Sequence, residues 1–306
     1  MRDSPRESLV RAGAERAVVR LEVTDDTHRA LVEIEVTPKG RDRALRNRQR
    51  VARVQELVET LRTTVFSPDD LEIVKGGPEG RRALLDDVAV AARPGLASTR
   101  QAVERVLRQR NMLLKSASAR LSAEVATTLD VWDAQLAVSG TLLTEAREQL
   151  VGEMASVASA AYCRLTGTED GLQLHYRRSY GGDLATALSA ARTSDLRREA
   201  TTVGPHRDEL LIGSSGLDAR TRLSQGRQRC VTLALRLAAH HVVGRHAGTS
   251  PVLLLDDAFS ELDERTGRAL LGELPPGQAI LTTAGALPSG ANASCVVRLE
   301  RGRIVG

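Results

Sequence analysis

The stretch that decides the fold is LSQGRQR at residues 223–229, followed by PVLLLDDAFSELD at residues 251–263. Residues 252–255 form an unbroken apolar run, which is typical of a parallel strand covered on both faces. Asp256 and Asp257 come next, at the strand end where ligands bind in open α/β sheets. Because hard divalent cations prefer carboxylate oxygens beside phosphate, the pair favours Mg²⁺ with a nucleotide. Taken alone, such a run could equally be a plain strand end before the turn at Ser260.

A helix is predicted directly after the first motif. Between residues 227 and 243 apolar side chains recur on one face, and Arg229, Arg236 and His240 lie on another. Ser224 is the natural N-cap, and Gly226 lets another molecule approach the backbone closely. The free N–H groups and the positive end of the helix dipole favour an anion such as a γ-phosphate. Taken alone, such a triplet more often marks an ordinary helix cap.

In this order and at this spacing, the two motifs resemble the second half of an ABC-type ATPase head: a signature motif, a Walker B strand and a D-loop. Further motifs resemble the RecF family of DNA replication and repair proteins, and the resemblance covers nearly the whole chain. These motifs are GPHRD at 204–208, SQG rather than a transporter-like LSGGQ at 224–226, SELD at 260–263, FSPDDL at 66–71, and VKGGP at 74–78 closed by Arg81 and Arg82.

The resemblance implies an α/β fold, namely an ABC-type P-loop ATPase head with an incomplete sheet and an inserted all-helical lobe. The expected divisions are residues 1–93 for the amino-terminal part of ATPase lobe I, 94–165 for helical lobe II, and 166–306 for the carboxyl-terminal part of lobe I.

Local patterns along the chain agree with this architecture. Alternating residues over 17–23 and 30–36 predict a β-hairpin with its turn at 25–28. The helix that begins at Glu79 is expected to stop before Arg93-Pro94. The other predictions are helices over 54–62 and 184–199, and strands over 63–66, 172–178 and 279–283.

Residues 97–163 carry almost no strand signal and are predicted to be helical. Packing in a small lobe is favoured over a long free coiled coil, because the segment is short and Gly140 interrupts it. One continuous apolar seam is predicted by residues that recur at seven-residue spacing, namely Leu129, Leu136, Leu143, Leu150 and Val157.

Composition restricts how the chain could hold nucleic acid. Aromatic residues make up only 2% of the sequence, so base stacking on an aromatic platform is disfavoured. Of the 43 basic residues only three are lysines, and arginine suits bidentate phosphate contacts. A net charge of +4 permits a polyanionic partner without demanding one. The three widely spaced cysteines fit a reducing cytosol, and no apolar run is long enough for a membrane span, so a cytoplasmic protein without membrane contact is predicted.

An arginine-dense stretch follows the predicted hairpin, and it could track a phosphate backbone or be a solvated basic loop. RecF proteins usually carry Asn-Gly here, whereas this chain has Asn47-Arg48. Helix arginines at 100, 105, 108, 110 and 120 could also face DNA, although most such arginines face solvent. The candidate DNA-binding residues are Arg41, Arg43, Arg46, Arg48 and Arg50.

The resemblance also implies roles for individual residues. In the family, ATP lies between two heads, with Mg²⁺ held near Asp256 and the attacking water polarised by Asp257. The signature residues Ser224, Gln225 and Gly226 would act on the nucleotide of the other head. Other expected site residues are Ser260 and Asp263 in the D-loop, Thr283 as the switch residue, and Arg207 with Asp208 in a loop near the nucleotide.

The phosphate-binding half of the motif set is missing from this sequence. ABC-type heads need a GxxxxGK[ST] loop for the β- and γ-phosphates, and the sequence contains no Gly-Lys dipeptide. In the family this loop precedes the point where the resemblance begins, so we expect an amino-terminally truncated chain that contributes only half a site.

Two functions therefore compete. The first is a RecF-type, ATP-dependent DNA-binding protein of replication, recombinational repair and the SOS response, whose recorded start is wrong or whose gene is split. Its expected partners are DNA, a second copy or a Walker A-bearing RecF chain, and mediators of the RecO/RecR type. The second is a non-catalytic remnant that serves as an arginine-rich module for binding DNA or a partner protein.

Overall fold

The computed structural model describes residues 6–24, 29–39, 42–51, 56–57, 60–117 and 120–305. The predicted turn at 25–28, Arg41 and residues 54, 55, 58 and 59 of the predicted helix over 54–62 lie outside these residues. The helices are α1 Arg6–Leu9, α2 Glu72–Lys75, α3 Pro78–Ala92, α4 Leu96–Ser116, α5 Ala123–Thr166, α6 Leu184–Arg198, α7 Ala219–Arg222, α8 Gln225–Ala247 and α9 Glu264–Gly272. The strands are β1 Ala17–Thr24, β2 Arg29–Val36, β3 Arg43–Arg46, β4 Gln49–Arg50, β5 Thr63–Phe66, β6 Leu172–Arg177, β7 Glu209–Ser214, β8 Leu217–Asp218, β9 Val252–Asp256, β10 Ala279–Thr282, β11 Leu299–Glu300 and β12 Arg303–Ile304.

A parallel sheet of three strands, in the order β10-β9-β5, positions the candidate site. Leu254 in the central strand pairs with Val65 on one side and with Ile280 on the other. Because all three strands run in the same direction, their carboxyl ends meet at one edge of the sheet. Asp256 and the residues after Phe66 and Thr282 therefore lie along that edge.

The two faces of this sheet are covered unequally. Leu253 and Leu255 are each 1% exposed and belong to the main apolar core, together with α8, α3 and the carboxyl-terminal half of α5. Val252 and Leu254 are only half-buried, and Ile280 is 48% exposed. Among the described residues, β9 is therefore fully covered on one face only, whereas coverage on both faces was predicted.

The predicted apolar seam along α5 is buried, although its residues are shared among three clusters. Leu129 and Leu136 are fully buried, and Leu143 and Leu150 are 3% and 4% exposed. The prediction that Gly140 interrupts the helix is wrong, because α5 runs through it without a break. A Cβ at Gly140 would lie 2.7 Å from Leu184 Cδ2, so the glycine allows α6 to pack closely against α5.

Packing also distributes the elements differently from the expected divisions. Leu184 and Leu188 of α6, which lie within the expected 166–306 unit, form a cluster with residues of α4 and α5. The carboxyl-terminal part of α5, including Met154 and Tyr162, belongs instead to the main core. A single long helix thus contributes residues to both clusters, and the expected boundaries stay a prediction.

The suggestion that Arg110 faces DNA is wrong, because its side chain is fully buried. Its guanidinium donates to Asp133 at 2.7 Å, to Asp195 at 2.7 Å and to the Thr201 hydroxyl at 2.9 Å. Arg100 is engaged as well, with ion pairs to Asp87 and Glu104 among others. A buried charge needs such partners, since leaving it unpaired costs several kcal/mol, on the order of 3 to 5.

The polar face predicted for α8 is also largely enclosed. His240 is 3% exposed, and Arg236 forms a forked ion pair with Asp70 after β5. The helix is therefore buried on most sides rather than on one stripe. Neither ring nitrogen of His240 has a hydrogen-bond partner among the described residues. Burial lowers the pKa of this histidine, because the enclosed site disfavours the charged form of the ring.

The turn at residues 204–208 closes a buried polar network. Asp208 is 0% exposed and accepts hydrogen bonds from the Tyr176 hydroxyl at 2.8 Å and the Ser179 backbone at 2.7 Å. Arg147 of α5 forms a forked ion pair with Asp86 of α3 and donates to the Pro205 carbonyl at 2.7 Å. This network fixes the turn against both α3 and α5.

His206 within this turn donates through Nε2 to the Thr201 carbonyl at 2.9 Å, which assigns the Nε2–H tautomer. Burial lowers the pKa of His206 to about 4, and the nearby Arg207 and Arg82 act in the same direction. The folded state therefore binds fewer protons than the unfolded chain. Its contribution to stability is complete above about pH 6.5 and is lost as the pH falls toward 4.

We predict that His206 accounts for part of the acid sensitivity of the fold. The free energy of unfolding should fall by about 1 kcal/mol between pH 7 and pH 5.5 through this group. His206→Gln should flatten that pH dependence, whereas His175→Gln, at an exposed strand position, should not. Urea unfolding at several pH values measures both, and an unchanged slope in His206→Gln would contradict the assignment.

A second prediction concerns the outer edge of β10, which has no strand partner among the described residues. Exposed apolar edges recruit other chains, so the isolated polypeptide should self-associate through Ala279–Leu281. Ile280→Lys should reduce light scattering at a given protein concentration. Val297→Lys, at a residue 59% exposed outside the sheet, should reduce it less. A monomer with one cooperative, reversible melt would show that the edge is harmless.

Candidate nucleotide site

Asp256 lies at the carboxyl edge of the parallel sheet and is held there by the neighbouring strand. Its Oδ1 accepts a hydrogen bond of 2.6 Å from the Thr282 hydroxyl. The carboxylate is otherwise exposed, so it can accept further ligands from outside the chain. A cation such as Mg²⁺ typically takes one or two carboxylates and completes its shell with phosphate and water, and this exposed oxygen pair fits that use.

Asp257 is held in an unusual conformation next to Asp256. Its backbone N–H donates to the Thr282 carbonyl at 3.1 Å, and its φ of 49° lies in the left-handed region. Such a conformation is costly for a non-glycine residue and is common at functional positions. Its Oδ1 is enclosed and has no hydrogen-bond partner among the described residues. The side chain therefore points at least partly into the protein rather than fully toward the edge.

The switch position shows a difference from the sequence prediction. Thr282 is the last residue of β10 and supplies the contact to Asp256, whereas the hydroxyl of Thr283 accepts a bond of 3.2 Å from the Gly285 backbone. Thr282 thus contacts a candidate site residue, and sequence reasoning missed it. The feature that identifies Thr282 is the parallel register of β9 and β10, which places it opposite Asp256.

The signature residues open α8 as predicted. Ser224 is the N-cap, and its side chain accepts a hydrogen bond from the Arg227 backbone. Ser224, Gln225 and Gly226 are all exposed. A Cβ placed on Gly226 would meet no atom of the described part of the chain within 4 Å, so packing against that part does not require the glycine.

The D-loop residues connect β9 to α9. The Ser260 hydroxyl donates to the Asp257 carbonyl at 3.0 Å. Asp263 caps α9 by accepting from the Thr266 backbone at 2.9 Å and from its hydroxyl at 3.0 Å. These bonds hold the pKa of Asp263 below its usual value. Both residues therefore have local structural roles, which do not prevent a further role toward a second chain.

The 204–208 turn is organised differently from the edge residues. Asp208 is fully buried, so it orders the turn and is not available to a ligand. Arg207 is exposed, and its Nε donates to the Thr201 carbonyl at 3.2 Å. None of the hydrogen bonds described for these two residues reaches Asp256 or Asp257, so their proximity to a nucleotide stays a prediction.

The arginine-rich stretch forms the β3–β4 hairpin, and its turn has positive φ at both Asn47 and Arg48, 51° and 68°. Asn47 anchors the turn by accepting from the Leu31 backbone at 2.8 Å. Four arginines of the predicted set are exposed on it, and only Arg46 has a described side-chain contact, to Thr60. The exposed residues are Arg43, Arg46, Arg48 and Arg50.

The described residues contain no group of three or more His, Cys, Asp or Glu side chains arranged to hold a metal ion. A site of the kind proposed for Asp256 does not need such a group, because phosphate oxygens supply the other ligands. No helix among the described residues is both long and apolar enough to cross a membrane.

Comparison with known proteins places these features in a family, although no family model matches the chain. The DNA replication and repair protein RecF of Streptomyces avermitilis is 40% identical over 290 residues, which are 90% of this chain and 78% of that protein. The RecF protein of Kineococcus radiotolerans is also 40% identical, over 303 residues with the same coverage of both chains.

Solved structures agree with the sequence comparison. A structure of the recombination mediator protein RecF with ATPrS, in the RecFOR pathway, matches with a TM-score of 0.85 and 26% identity over 99% of this chain and 84% of that one. An SMC head bound to the winged-helix domain of ScpA matches with a TM-score of 0.50 at 16% identity, covering 92% of this chain and 72% of that one. This likeness shows the fold alone. The fold is that of an ABC-type ATPase head, and the chain belongs to the RecF family.

Proposed function

We propose that this chain acts as a RecF-type DNA-binding protein in replication and recombinational repair, and that it supplies one half of a shared ATP site. The observation that carries the proposal is Gly226 at the start of α8. No atom of the described residues lies within 4 Å of a Cβ placed there, while its backbone lies at the positive end of a helix of 23 residues. That combination fits a phosphate group presented by a second chain.

The carboxyl edge of the sheet supplies the other contribution. Bound Mg²⁺-ATP would bring the phosphate to be cleaved and the charge that activates water. Asp256 would hold the cation, with its orientation fixed by Thr282. Asp257 would polarise the attacking water, and Ser260 with Asp263 would present the D-loop to the second head.

This polypeptide is proposed to work with a second chain that carries the phosphate-binding loop. The printed sequence has no GxxxxGK[ST] loop, so Ser224 and Gly226 would contact nucleotide bound by that chain. A second copy could form the same contact surface. Relatives solved with ATP and ATPrS support nucleotide binding in the family.

From membership of the RecF family alone, we also propose that the chain acts in the cytoplasm, takes part in the SOS response and works with mediators of the RecO/RecR type.

A second candidate function is that of a non-catalytic module that binds DNA or a partner protein. The exposed arginines of the β3–β4 hairpin favour it, because they could hold DNA without ATP. The two candidates differ in whether nucleotide bound to a Walker A-bearing chain changes DNA affinity.

We predict that the 306-residue polypeptide does not bind ATP measurably on its own. The physical reason is that a helix terminus and two carboxylates lack the lysine and the backbone loop that supply most phosphate affinity. Titration with a fluorescent ATP analogue in the presence of Mg²⁺ measures this. Low-micromolar, Mg²⁺-dependent affinity would contradict the half-site.

DNA affinity should depend on salt and not on sequence, since phosphate contacts by arginine dominate such binding. Replacing Arg43, Arg48 and Arg50 by glutamine should reduce the slope of log affinity against log salt by up to about 3, roughly 0.9 for each phosphate that is no longer neutralised. Fluorescence anisotropy with duplex and gapped DNA measures the slope.

A matched control lies on the same sheet. Arg16, Arg20 and Arg29 already pair with Glu35, Glu33 and Glu22. Replacing these three arginines by glutamine should change the slope less. Equal reductions of the slope for both triple variants would show that the β3–β4 hairpin has no special role in DNA binding. A strong preference for one DNA sequence would contradict binding that is dominated by phosphate contacts.

A further inference from the structure

A small cavity lies between the signature helix and the candidate site. It has a volume of about 50 Å³, and its lining includes Arg229 of α8, Asp257 after β9 and Ser67 after β5. Two polar atoms among the described residues are enclosed without a hydrogen-bond partner in this region, Arg229 Nε and Asp257 Oδ1. One is a donor and the other an acceptor, so each supplies what the other lacks.

The guanidinium of Arg229 is already fixed on its other side. Its Nη1 donates to the Glu261 carbonyl at 2.7 Å, and its Nη2 pairs with the Glu261 carboxylate. Glu261 is the second residue of the D-loop. Arg229 therefore ties the second turn of the signature helix directly to the loop that follows Asp257.

Asp257 carries two unfavourable features that a change of orientation would relieve. Its φ of 49° is a strained conformation, and a buried carboxylate oxygen without a partner is costly. A cavity of about 50 Å³ leaves room for the side chain to turn or for one water molecule to bridge to Arg229. The geometry thus brings together a carboxylate on a strained backbone, a donor without a partner and a cavity lined by both residues.

We propose that Arg229 is a positioning residue. It fixes the D-loop to the signature helix and, across the cavity, sets the orientation of the Asp257 carboxylate. When nucleotide bound to a second chain engages Ser224 and Gly226, movement of the helix start is carried through Arg229 to Asp257. The inference rests on the proposed function for this last step, whereas the link itself is a property of the single chain.

The first measurement tests the link alone. Arg229→Gln removes the forked contact to Glu261, so amide hydrogen exchange over residues 257–263 should become about tenfold faster, while β10 and the melting temperature change little. Arg268→Gln is the matched control, because Arg268 forms an exposed pair with Glu264 in α9. Unchanged exchange over 257–263 in Arg229→Gln would overturn the proposal.

The second measurement tests its consequence for the nucleotide site. Wild-type chain is mixed with the full-length RecF protein of Streptomyces avermitilis, and its effect on ATP hydrolysis by that protein is recorded. Arg229→Gln should reduce any stimulation about tenfold, and Arg229→Lys should not restore it, since lysine lacks the planar fork. Arg268→Gln should behave as wild type.

The two failures are distinguishable. If the wild-type chain does not stimulate hydrolysis while exchange responds as expected, the proposed function fails and the link stands. If Ser224→Arg abolishes stimulation but Arg229→Gln keeps it in full, the proposed function stands and the positioning role is overturned.

Discussion

The structure depends on the parallel pairing of β5, β9 and β10. This pairing alone brings the ends of three strands, separated by up to about two hundred residues in the chain, to one edge. There the Thr282 hydroxyl fixes Asp256, and the Asp257 backbone bonds to the Thr282 carbonyl. The Asp256 carboxylate and the Asp257 backbone are therefore positioned by the register of the sheet rather than by their own loop.

A second constraint is the burial of α8 on most of its sides. Its start is exposed and open to another molecule, whereas its middle is enclosed by the core and by the Arg236 pair with Asp70. A closely packed helix moves as a rigid element. A displacement caused by a contact at Ser224 would therefore be transmitted to the D-loop through the hydrogen bond of Arg229 to Glu261. The helix thus joins the surface offered to a second chain to the residues beside Asp256.

Sequence reasoning succeeds where the signal is local. The Ser224 cap, the strand before Asp256 and the seam of α5 each follow from neighbouring residues and their spacing. It fails where the decisive contact is distant in the chain. Thr282 meets Asp256 across 26 positions; Arg110 meets Asp195 across 85, so local reasoning places a buried arginine at the surface. The prediction for Gly140 is wrong because this glycine serves to let α6 approach α5 closely. Helix propensity does not reveal such a packing role.

The central claim is that Ser224 and Gly226 act on nucleotide held by another chain. Its most direct test is amide hydrogen exchange of this polypeptide mixed with the RecF protein of Streptomyces avermitilis and a slowly hydrolysed ATP analogue. The account predicts slower exchange at Gly226 and Arg227 that requires both the second protein and the nucleotide. Exchange at these amides that is the same with and without nucleotide would contradict it.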